Sequence, residues 1–183
     1  MSVTTVSSSM ITDATILNAD IGAAAAIATT KLGAGAIVQV VNVTTGAVAT
    51  GTTVLANDNS IPQKTEGVEF MTLAITPTNS SNKLLIECVY YISASTATFL
   101  IGALFQDATA GALAAGNNIT DGNAQANVNS FTHFMAAGTT SETTFKLRVG
   151  TSSAATITFN GVAAGREMGG VAASSITITE IKV

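Results

Sequence analysis

The chain has 183 residues and a formal net charge of −4, with 47% hydrophobic but only 10% charged residues, 16 Gly, one Cys and no Trp. Charge this sparse, against about 25% in an average domain, excludes a solvated disordered chain. Seven Lys plus Arg against eleven Asp plus Glu leave no basic field for a phosphate backbone, so nucleic acid is not an expected partner. The mean hydropathy of +0.47 comes largely from Ala scattered among Thr, and the longest strongly apolar run, Phe99 to Phe105, is too short for a bilayer, so no membrane span is expected.

The opening residues, MSVTTVSSSMITD, contain no Lys or Arg and no sustained apolar stretch, unlike a secretory signal or transit peptide. Synthesis and release in a cytoplasm are expected, and the lone Cys88 is compatible with a reducing compartment. In ITDATILNADIGAAAAIATTKLG, the aliphatics Ile11, Ile16, Ile21, Ile27 and Leu32 recur every five or six residues, which fits neither a helix nor a strand period. Locally, Asp20 as N-cap, the Ala23 to Ala26 run, Lys31 and Gly33 read as one short helix. Aliphatics so spaced build no core of their own and suit an extended arm laid along another surface or paired around an axis. The composition shifts at Gly33 to Gly35, which predicts an arm over residues 1–35 and a second domain over 36–183.

Beyond Gly35 a period of two takes over. Thr143 to Gly150 places Thr143, Phe145, Leu147 and Val149 on one face and Thr144, Lys146 and Arg148 on the other, the signature of a half-buried strand. Further strands are predicted at Ile37 to Val43, Thr52 to Leu55, Glu69 to Thr76, Lys83 to Ser93, Thr98 to Gln106, Ala126 to Ala136, Ala155 to Asn160 and Ser175 to Val183. In the last, Ile176 and Ile178 share one face while Ile181 and Val183 fall on the other, which predicts a bulge near Glu180. Short strands, turn-rich connections such as TPTNSSN and TDGNA, and no βαβ rhythm predict an all-β antiparallel sandwich or jelly roll of eight or nine strands.

Two strands are apolar on both faces. In Lys83 to Ser93, one face carries Leu84, Ile86, Cys88, Tyr90 and Ile92, and the other Leu85, Val89 and Tyr91 around Glu87. In Thr98 to Gln106, Leu100 and Leu104 oppose Phe99, Ile101 and Phe105. A sandwich covers one face of each sheet, so a second cover is required. A neighbouring subunit is the favoured cover, with an interface at Leu85, Glu87, Val89, Tyr91 and Leu100; the other is a helix or loop from Ala108 to Ala115. Glu87 is expected at the interface rim or paired with Lys83 or Arg148.

Motifs that carry chemistry are few. There is no nucleophile elbow, Walker loop, HExxH or paired-cysteine spacing, and no cofactor, metal or catalytic residue is assigned. The single imidazole, His133, shares a face with Phe131 and Met135 and reads as a packed or interfacial residue, without an orienting acid in its strand. Cys88 lies on an apolar face and reads as a small hydrophobe, and Asp121 in TDGN as a turn residue.

The run ITDATILNADIGAAAAIATTKLG resembles the N-terminal arms of bacteriophage fibre proteins. The stretch from Val40 to Gln106 resembles a module of phage tail-fibre, head-fibre and decoration-like proteins, most specifically in DNSIPQ (Asp58 to Gln63), EG (Glu66, Gly67) and ITPTNSSNKLLIE (Ile75 to Glu87). The resemblance implies a virion structural protein, a homotrimer with a β-sandwich head and no enzymatic site. The abrupt passage from arm to head favours a short head fibre, decoration protein or small tail appendage whose arm, through Ile11, Ile16, Ile21, Ile27 and Leu32, docks on capsid or tail proteins. The alternative is a receptor-binding tip for a host surface glycan, for which 5% aromatic residues offer few stacking platforms.

Overall fold

The computed structural model describes residue 27 and residues 31–122 and 125–183. The chain divides into two compact units, 1–32 and 33–183. The sequence readings for Ile11, Ile16, Ile21 and the short helix after Asp20 lie outside the described residues. Of the remaining arm positions, Ile27 is exposed and Leu32 half-buried.

The second unit is an antiparallel β-sandwich. Its strands are β1 (Ile37–Thr45), β2 (Ala49–Gly51), β3 (Val68–Ile75), β4 (Lys83–Ala94), β5 (Thr98–Gln106) and β6 (Ala114–Thr120), then β7 (Ala126–Ala136), β8 (Thr143–Thr151), β9 (Ile157–Phe159), β10 (Gly161–Val162), β11 (Gly165–Arg166) and β12 (Ser174–Ile181). The larger sheet runs β1-β12-β4, with β7 on the free side of β4; β9 and then β2 flank the last residues of β4 on the β12 side. The smaller sheet has the order β3-β8-β5-β6.

Alternation decides which residues meet between the sheets. Leu84, Ile86, Cys88, Tyr90 and Ile92 of β4 and Ile176 and Ile178 of β12 pack against Leu100 and Leu104 of β5 and Phe145, Leu147 and Val149 of β8. Gly102, between Leu100 and Leu104, leaves room for the Tyr90 ring, since a Cβ there would lie 2.5 Å from the ring and its hydroxyl. Tyr90 reaches across to donate to Gly116 O at 3.4 Å and meets Phe131 edge-on at 5.9 Å.

The other face of β5 is covered from within the chain. Leu55, fully buried, packs with Ile101, Ala103 and Phe105, and Ala112 closes the cluster. The segment Thr52 to Leu55, expected as a strand, is instead the start of a strap over β5; the strand is the preceding Ala49–Gly51. The strap can lie so close because position 150 is glycine, where a Cβ would stand 2.4 Å from that of Leu55. For β5, therefore, a chain segment and not a subunit supplies the second cover, and Leu100 lies in the core, not at a subunit surface.

Two further expectations change. The bulge lies on β1 between Ile37 and Gln39, opposite Ile181 and Glu180, while β12 stays regular and turns Glu180 inward beside Ile178. The stretch Ala108 to Ala115, the alternative cover, sets Ala112 against the Leu55 cluster but then runs into β6, an additional strand against β5.

Candidate functional site

The motifs that carry the sequence resemblance form two internal anchors. In the first, Glu180 is fully buried and receives five side-chain or main-chain donors. Gln39 Nε2 donates at 2.5 Å, Asn82 Nδ2 at 2.6 Å, Thr78 N and Oγ1 at 2.9 and 2.8 Å, and Asn79 N at 3.3 Å. Burial alone raises a carboxyl's pKa, but the bonds from Asn82, Gln39 and Thr78 outweigh it and hold Glu180 below its ordinary value. TPTNSSN is thus the loop that binds this carboxylate, fixing the β3–β4 connection to β12 and β1. Alternation missed it because the two-face reading of Ile176 to Val183 placed a bulge where an acid faces inward.

In the second anchor, DNSIPQ and EG form the strap. Glu66 accepts from Ala56 N at 3.3 Å and Gln63 N at 2.6 Å, and Arg148 donates to the carbonyls of Glu66 and Gly67, both at 2.8 Å. Asp58 accepts from Ser60 N at 2.7 Å, and Lys64 Nζ donates to Ala108 O at 2.9 Å. Arg148 also sits 3.5 Å from Glu69, on the smaller sheet, so the expected Glu87–Arg148 pair does not form.

The outer face of the larger sheet carries the remaining predicted site residues. Strand register arranges them in cross-strand rows: Val40, Thr179, Leu85 and Phe134; then Asn42, Thr177, Glu87 and Thr132; then Thr44, Ser175, Val89 and Ser130; with Tyr91 beside Val128. Glu87 is exposed among hydroxyls, and Lys83 lies on the same face of β4. Val40, Val89, Val128 and Phe134 are 54, 37, 66 and 58% exposed, so this face is apolar, hydroxyl-rich and nearly uncharged. The Tyr91 hydroxyl donates to the Glu167 carboxylate, and that bond, with partial burial, moves the phenol up to about 12.

His133 is half-buried on the inward side of β7 with Phe131 and Met135. Cys88 is buried in the core, and burial pushes its thiol up to about 12, away from nucleophilic use. Among the described residues no group of three or more His, Cys, Asp or Glu could hold a metal ion, and no helix is long and apolar enough to cross a membrane. A cavity of about 580 Å³ is lined by small side chains, including Ala94, Ser95, Thr156, Thr158, Ala163 and Ala164. A second, of about 270 Å³, lies between the strap and β6 beside Asn57, Asp58 and Asn117.

No protein-family model and no curated protein matches the chain. Among solved structures, a similarity covering 82% of the chain is found with dimeric latent PorU from Porphyromonas gingivalis, at 9% identity and a TM-score of 0.38. Others are the enzymatically active domain of tailspike protein 4 of bacteriophage CBA120, over 70% of the chain at 15% identity and TM-score 0.27, and the VP2 subviral particle of infectious bursal disease virus, over 79% at 11% and 0.34. The chain spans 14, 20 and 38% of the length of those three chains. At these scores the likenesses carry no activity or partner across.

Proposed function

We propose that the chain is a structural protein of a phage particle, a short head fibre or decoration protein. In this reading the sandwich of residues 36–183 stands outward as a homotrimer and the segment 1–35 docks on capsid or tail proteins through Ile11, Ile16, Ile21, Ile27 and Leu32. The observation that carries it is the outer face of the larger sheet. Its β1-β12-β4-β7 surface is wide, nearly uncharged and studded with exposed Val and Phe, as a surface meant to be covered is. Leu85, Glu87, Val89 and Tyr91 are the proposed subunit contacts. The polar groups of the motifs that resemble phage proteins are spent on internal anchors, which supports a scaffold role over a ligand-binding one.

The test is to locate and count the chain on purified virions of the phage that encodes it, by antibody-labelled electron microscopy and quantitative mass spectrometry. Hundreds of copies over the capsid are expected. A handful at the tail would favour the receptor-binding tip, and absence from the particle would end the structural reading.

A further inference from the structure

Among the described residues the larger sheet ends in β1 and the short β2 on one side and in β7 on the other, and the long edges of β1 and β7 match. β1 pairs with β12 on one side, β7 pairs with β4 on one side, and among the described residues no second strand pairs with the opposite side of either. Exposed edges are normally blunted by charge, proline or shortness. Here Ile37–Thr45 (IVQVVNVTT) and Ala126–Ala136 (ANVNSFTHFMA) are nine and eleven residues long and contain no Lys, Arg, Asp, Glu or Pro. The bulge at the start of β1 leaves seven residues, Gln39 to Thr45, in unbroken register.

The exposed apolar side chains point to the same edges. Ile37 and Val40 on β1 and Val128 and Phe134 on β7 are 54 to 66% exposed, whereas Val89, on the central strand, is 37% exposed. Direction also fits. The ladders β1-β12, β12-β4 and β4-β7 are all antiparallel, so across four strands β1 and β7 run in opposite senses. A second copy placed beside the first in the same orientation therefore sets its β1 antiparallel to the first copy's β7, continuing the alternation. Val40 and Phe134 occupy the same cross-strand row, so level addition brings them together on the outer face.

We infer that β1 of one copy adds to β7 of the next, a head-to-tail seam that closes by rotation about an axis along the strands. This rests on the homo-oligomeric reading above and specifies its contacts: neighbouring sheets join edge to edge while the outer faces of Leu85, Val89 and Tyr91 turn towards the axis. The area is sufficient. A seam about 30 Å long, and about 20 Å deep across two sheets and their side chains, projects to roughly 600 Å² on each of two sides, near the accessible area of about 800 Å² per partner in a standard interface. A heterologous contact of this kind makes a ring when its rotation closes.

The experiment uses the full chain at micromolar concentration in sedimentation velocity, comparing wild type, Val40→Lys, Phe134→Glu and the double variant, with circular dichroism as the folding control. Each single substitution sets a charge against an apolar row and should raise the dissociation constant at least about tenfold; the double variant should restore association, because every seam then pairs Lys with Glu. Symmetric pairing of β1 with β1 would set Lys against Lys, and the double variant would stay dissociated; that result overturns the inference. Hydrogen exchange on the wild type gives a second reading independent of any variant: the amides of β1 and β7 should be protected in the assembly and lose protection together on dilution. An oligomer insensitive to both single substitutions, with unprotected edges, overturns the edge seam alone, while a monomeric wild type overturns the homo-oligomeric reading with it.

Discussion

Glu180 shows how one inward acid can organise a fold without a cation. Five donors from Gln39, Thr78, Asn79 and Asn82 surround a fully buried carboxylate, and none of the described ion pairs involves it. In Glu180→Gln one oxygen still accepts, but the charge is lost and an amide NH2 replaces the oxygen that faces Gln39 Nε2, setting donor against donor, so the variant should cost about 3 kcal/mol in urea unfolding at neutral pH. The pH dependence has a definite sign. A carboxyl whose folded pKa is lowered contributes stability fully above its ordinary value of 4.5 and loses it as pH falls through the lowered folded value. Wild type should therefore lose stability steeply below pH 4.5, and the Gln variant should lose the part of that slope owed to this group.

At the scale of elements, the strap and the small hairpin show where pattern reading succeeds and where it stops. Leu55 is a single side chain filling the space over Ile101, Ala103 and Phe105, and Leu55→Ala should destabilise the sandwich by about 3 kcal/mol and open the strap to protease between Ala56 and Glu66. Long alternating segments such as Lys83 to Ser93 and Ala126 to Ala136 were legible because one face of each is buried, which fixes both strand and register. The strap was not, since its β-branched TTV start resembles a strand and only its burial over Gly150 identifies it as a cover. The β10–β11 hairpin was illegible for another reason. Its two turn residues, Ala163 and Ala164, have φ of 48° and 62°, a conformation that Asn-Gly signals and Ala-Ala does not. Replacing them with Asn and Gly should relieve strain and raise stability by about 1 kcal/mol, read as a higher melting temperature. Of the candidate site, the outer face of β4, with Glu87 and Val89 exposed and Leu85 and Tyr91 half-buried, was readable from the doubly apolar strand, whereas the placement of Leu100 depended on knowing what covers β5.

For the whole molecule, the proposed function divides labour between the unit of residues 33–183, which carries its own core, and the segment before it. The described core clusters, with Val41 and Val43 of β1 packed against them, are built from residues beyond Gly33, so deletion of residues 1–33 should leave a soluble head whose melting temperature lies within a few degrees of the full chain's. The same deletion should abolish incorporation into particles, and a truncated head that still decorates them would refute the assignment of docking to the arm. A single arm burying five aliphatics would bind weakly, and three joined at one head would bind by effective concentration, so the docking role depends on the head being an oligomer. Sedimentation equilibrium of the full chain tests that most directly. A trimeric head gives a single species of about 55 kDa, three times the 18.3 kDa chain, at micromolar concentration, and a species of 18.3 kDa under the same conditions would refute it.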